Sequence, residues 1–154
     1  MGANGADGYR FRSKKRELKN HLDTRHKIAG HKLYLSKDDV MQSKNILEAD
    51  EANCIKLAGR CSADGTITVQ YVDVITNNDL SLEIDLKYTN DGRIAPFNGA
   101  ESGTHCHYWT TNKKGEHCRK KTGRKHEPVP DEYISLLDKI VEFNKKGIKY
   151  NGKH

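Results

Sequence analysis

The chain has 154 residues, 34% of them hydrophobic and 31% charged, with a formal net charge of +6, which suits one domain with a modest core. No stretch approaches the roughly 20 apolar residues of a membrane span, and the N-terminus, MGANGADGYRFRSKKRELK, lacks the apolar segment of a secretory signal. A cytoplasmic protein with no membrane partner is therefore expected.

The net charge conceals a segregation. Residues 1–37 hold ten Lys/Arg against three Asp/Glu, residues 38–103 five against twelve, and residues 104–154 twelve against six. Positive potential gathers at the two ends of the chain, which suits a polyanionic partner. Cys54, Cys61, Cys106 and Cys118 form no CxxC pair, so free thiols are the expectation in a reducing compartment.

In chain order, residues 1–30 read as a basic, partly flexible arm and residues 31–154 as a single domain. Within the arm, RSKKRELKNHLDTRHK suggests a short basic helix. Its ending imitates half of a zinc finger without the required cysteine pair. Ser36 and Asp39 form a variant capping box that would start a helix reaching about Leu47. NCIKLAGR predicts a strand, SADG a turn, and TITVQYVDVI a second strand. The alternation in LSLEIDLKY places Leu80, Leu82, Ile84, Leu86 and Tyr88 on a core face. It leaves Ser81, Glu83, Asp85 and Lys87 toward water.

IAPFNGAESG is a loop of the kind that borders sites. THCHYWTT and EHCRKKT form a hairpin across NKKG. The last element, DEYISLLDKIVEFNKKG, is an amphipathic helix with acids first, lysines last and Gly147 at its C-terminus; Ile134, Leu137 and Val141 form its apolar stripe. The expected fold is α+β: an antiparallel sheet of about four to six strands, with this helix and a shorter N-terminal helix packed on one face.

Chemistry concentrates in the hairpin. A two-residue turn at Lys113-Lys114 sets Trp109 opposite Cys118 and His107 opposite Lys120. A three- or five-residue loop would instead bring His117 and Arg119 to the side of His105 and His107. Histidine titrates near neutrality and serves as a general acid or base. His107 is the candidate for that role, with His105 its partner. Arg119, Lys120, Lys121, Arg124 and Lys125 would hold phosphate, while Trp109 and Tyr108 stack bases. RNA brings its own 2′-hydroxyl nucleophile, so RNA is preferred to DNA and no cofactor is required. Zinc ranks behind this: His105 and His107 would supply two nitrogens, with Cys118, His117 or His126 completing a tetrahedron. That spacing is irregular, and the neighbouring residues are cationic.

Several elements recur in a known layout. They are the Asp-bearing strand LEIDLKY, a Gly-containing loop, the G-x-H-x-H element of GTHCHYW, a basic strand, and EPVPDEYISLLDKIVEF. From about residue 66 to 146 this layout resembles small bacterial proteins that include TumE-type toxins of toxin–antitoxin pairs. The resemblance implies Asp85, His105 and His107 as candidate catalytic positions to test, and a bacterial or mobile-element origin. An acidic antitoxin or another protein is then a candidate partner.

The leading expectation is thus a basic RNA-binding protein that acts as a metal-independent ribonuclease of toxin type. The alternatives are a non-enzymatic, phage- or plasmid-encoded binding or inhibitor module that works through its basic surfaces, and a zinc-stabilised structural domain.

Overall fold

The computed structural model describes residues 21–36, 52–115, 117–121 and 123–150. Among these, seven strands form one sheet whose spatial order follows the chain. They are β1 (His21–Ile28), β2 (His31–Ser36), β3 (Cys54–Cys61), β4 (Ile67–Thr76), β5 (Asp79–Asp85), β6 (His105–Thr111) and β7 (His117–Arg119). All neighbours are antiparallel except β2 and β3, which run parallel. A 3-10 turn at Asp131–Tyr133 leads into the α-helix α1 (Ile134–Lys145).

Alternation explains the face that meets α1. Leu33, Leu57, Val72, Ile84 and Cys106 lie side by side across five strands through successive register pairs. All five are fully buried and join one apolar cluster with Leu136, Leu137, Ile140 and Phe143 of α1. Burying each large aliphatic side chain stabilises the fold by about 1.5–3 kcal/mol before entropy is counted. The helix presents Leu136, Leu137, Ile140 and Phe143 to the sheet, while Ile134 is 46% exposed. The apolar stripe is therefore rotated from the Ile134–Leu137–Val141 line expected from the sequence.

The expected architecture needs three corrections. The sheet is mixed and seven-stranded, not antiparallel with four to six strands. No N-terminal helix accompanies α1 among the described residues. His21–Ile28, which overlaps the segment expected to be a basic helix, is β1, because its partner β2 supplies the ladder hydrogen bonds. The predicted helix beyond Ser36 lies outside the described residues.

The third correction concerns the polar face of the sheet. Lys56, Asp73, Glu83 and His107 form one cross-strand row, and Ala58, Tyr71, Asp85 and His105 form the next. Glu83 and Asp85, expected in water, are only 1% and 8% exposed. Alternation shows that two faces differ, but it does not show that the polar one is wet. A β-bulge between Val74 and Ile75 also turns Leu80 to this side, where it packs with Ile75 and Trp109. Both rows end in a histidine.

Candidate metal centre and basic cavity

His105 and His107 sit two residues apart on β6, so strand geometry places both rings on the polar face. His126 reaches the same point from the segment after β7, which returns along β6 through paired Cys106 and Glu127 backbone hydrogen bonds. One ring nitrogen from each of His105, His107 and His126 lies within 4.8 Å of the others, and all three residues are buried. The His105 and His126 ring centroids are 4.1 Å apart.

Asp85, opposite His105 on β5, completes the cluster from beneath. Its Oδ2 is 3.3 Å from His105 Nε2 and 3.4 Å from His107 Nε2. From the solvent side, Glu101 Oε2 stands 3.1 Å from His126 Nε2.

Hydrogen bonds to backbone carbonyls fix two of the tautomers. His105 Nδ1 is 2.7 Å from the Gly103 carbonyl oxygen, and His126 Nδ1 is 3.1 Å from that of Gly99. A carbonyl only accepts, so each Nδ1 carries a proton and donates it. When neutral, each ring turns an Nε2 lone pair toward a carboxylate, an arrangement that favours a cation, either a proton or a metal ion, between them. Two adjacent buried imidazolium rings would be a costly alternative. His105 Nε2 and Asp85 Oδ1 are also buried without a hydrogen bond. Three imidazoles, with outer carbonyls fixing two of the rings and the Asp85 carboxylate beside two of them, can hold a metal ion.

The electrostatics differ from ring to ring. Burial, and then the Arg119 guanidinium, lower the His107 pKa to about 4, so this ring is neutral near physiological pH. Burial opposes charge on His105, but the adjacent Asp85 carboxylate, the Gly103 carbonyl and the Glu101 charge outweigh it and raise its pKa. For Glu101, burial is outweighed by the charges of His105 and His126, which favour the carboxylate.

Behind His107 lies Glu83, its cross-strand partner. Glu83 Oε1 accepts a hydrogen bond from Trp109 Nε1 at 3.0 Å and lies 3.5 Å from Arg119 Nη2. Burial, then the Asp85 charge, push the Glu83 pKa up to about 7.

The hairpin uses the longer loop. Thr111 pairs with His117, Thr110 with Cys118, and Trp109 with Arg119. Arg119 therefore shares the histidine face and lies over Trp109, 5.8 Å from its ring centroid. The two-residue turn is thus corrected by one position. Lys120 donates its backbone N–H to Tyr108 rather than standing opposite His107. Cys118 is out of phase with the histidines and belongs to no metal-binding group among the described residues.

The remaining sequence candidates divide between two places. Trp109 is 5% exposed and bound to Glu83, so the proposed stacking platform is a buried support. Tyr108, Arg119, Lys120, Lys121, Arg124 and Lys125 line a cavity of about 280 Å³, and His107 forms part of the same wall. Glu101, Glu83 and the Gly99 and Gly103 carbonyls are site groups that no sequence pattern marked. IAPFNGAESG was recognisable as a loop bordering a site, but nothing in it singled out Glu101 or its carbonyls.

No helix among the described residues is long and apolar enough to cross a membrane, and all four cysteines are free thiols. No protein-family model matches the chain, and no characterised protein or solved structure is significantly similar to it.

Proposed function

We propose that the protein binds RNA and cleaves its phosphodiester backbone at the His105–His107–His126–Asp85 centre, with zinc as the resident ion. The observation that carries this reading is the position of His107, which is a wall of the cation-lined cavity and a member of the three-histidine cluster. A backbone held by Arg119, Lys120, Lys121, Arg124 and Lys125 would lie against the donor set. Imidazole and carboxylate suit zinc, with nickel, iron and copper as competitors.

When bound, zinc supplies Lewis acidity toward a phosphoryl oxygen. The chain's own residues do the rest. The Gly99 and Gly103 carbonyls orient two of the rings, Asp85 offers a carboxylate beside the ring nitrogens, and the cavity cations neutralise phosphate charge and fix the strand. A toxin-like role rests on the resemblance of residues 66–146, and an acidic antitoxin would suit the same cations.

The test is cleavage of end-labelled single-stranded RNA by the full chain, alongside elemental analysis. Cleavage should stop on chelation and return with zinc, and His105→Ala should lose both metal and cleavage. Cleavage that survives complete metal removal would overturn the metal-assisted form in favour of metal-independent catalysis by histidine. Metal-loaded protein that leaves RNA intact would overturn cleavage altogether.

One observation favours a second reading. His105 is wholly buried, as expected of a structural ion in a non-enzymatic binding module. In that case chelation would lower the melting temperature, and RNA would be bound but not cut.

A further inference from the structure

We infer that Glu101 is an exchangeable carboxylate donor that caps the three-histidine centre from the solvent side, gives way when substrate binds, and controls exchange of the ion. This rests on the metal reading above.

The two carboxylates at the cluster are placed very differently. The Asp85 side chain is 11% exposed and contacts His105 and His107 from within the sheet, whereas that of Glu101 is 72% exposed and contacts His126. A cation entering the cluster from solvent would meet Glu101 before the buried rings.

Glu101 also belongs to a constrained loop. Asn98 Oδ1 accepts the Ala100 N–H at 2.8 Å, Asn98 Nδ2 donates to Ser102 Oγ at 3.0 Å, and the Gly103 N–H donates to the Ala100 carbonyl at 3.3 Å. A Cβ at Gly103 would lie 2.5 Å from the Pro96 carbonyl oxygen, so only glycine fits without a shift. Gly99 has φ +78°, where glycine is favoured. The same loop supplies the carbonyls that orient His105 and His126. One short segment thus delivers two tautomer-fixing acceptors and a carboxylate.

Charge supports the assignment. Three neutral imidazoles and Asp85 leave a divalent ion with one uncompensated positive charge. Glu101 brings the centre to neutrality, which favours holding the ion in a buried setting.

The experiment compares wild type with Glu101→Gln in the full chain. It uses chelator competition for zinc, stopped-flow release of zinc to excess chelator, and visible spectra of the cobalt-substituted proteins. Glu101→Gln should weaken zinc about 10–100-fold, the scale seen when groups that support metal sites are removed. Zinc release should quicken, and the cobalt bands should intensify as coordination number falls. The exposed position should leave the metal-free melting temperature unchanged. Equal affinity, release rate and cobalt spectrum would overturn the Glu101 assignment alone. Failure of the wild type to bind zinc or cobalt would overturn the metal reading and, with it, this inference.

Discussion

Trp109 Nε1 donates a hydrogen bond of 3.0 Å to Glu83 Oε1, and Glu83 stands directly across the ladder from His107. The chain's only tryptophan therefore supports the acid behind a candidate ligand instead of meeting a base. Trp109→Phe keeps most of the apolar volume but removes the donor, leaving a buried carboxylate short of one partner. The expected cost is about 1–3 kcal/mol in chemical denaturation. RNA affinity, measured by fluorescence anisotropy, should change little. A large loss of affinity without loss of stability would return Trp109 to a stacking role.

Gly103→Ala probes the loop without touching a donor atom. The added methyl would meet the Pro96 carbonyl at 2.5 Å and Asn98 Oδ1 at 2.6 Å, so the loop must move. His105 would then lose part of its Nδ1–H···O=C support. Zinc affinity should fall by about 10–100-fold, as read by chelator competition. An unchanged affinity would show that the carbonyl does not orient the ring.

Charge neutralisation tests the cavity. Changing Lys120, Lys121, Arg124 and Lys125 to Gln should weaken RNA binding and flatten its salt dependence. The log–log slope should fall by about 0.7 for each phosphate that the protein no longer neutralises. Zinc stoichiometry should be retained. An unaltered slope would place the RNA surface elsewhere.

Ile140 is fully buried between α1 and the sheet. Ile140→Ala should cost about 2–5 kcal/mol in urea unfolding, with zinc stoichiometry unchanged in the folded protein. That outcome would separate the apolar face, which holds the helix, from the polar face, which holds the centre.

Cys106 is buried on the apolar face. Burial, followed by the charges of Glu127 and Asp85, pushes its pKa up to about 12. The thiolate is the reactive form, and it is scarce until pH approaches that value. Brief alkylation at mildly alkaline pH should label exposed Cys61 and spare Cys106, with peptide mass mapping as the readout. Labelling of native Cys106 at a comparable rate would contradict its placement.

Local pattern carried much of the fold. Strict alternation located β5, a run of β-branched residues located β4, and the C-terminal charge asymmetry located α1. Its failures have physical causes. LDTRHKI has no decisive period, and only pairing with HKLYLS makes it a strand. The hairpin register depended on loop length, and a single-residue change exchanged Cys118 for Arg119 on the histidine face. At the site, the HxH spacing made His105 and His107 visible as a pair. His126 and Glu101 reach them from loops, and no sequence period encodes that meeting. Trp109 resembled a stacking platform because composition cannot show which aromatic residues are covered.

The strand order of the sheet bears on how the centre assembles. Asp85, Glu101 and the three histidines all lie between β5 and the segment after β7. Strand order equals chain order throughout the sheet. All the closures that bring the donors together fall within residues 85–126 and require nothing of the N-terminal strands. The donors can therefore gather while the N-terminal strands are still unpaired, and an ion captured then would bias the remaining chain toward the native register.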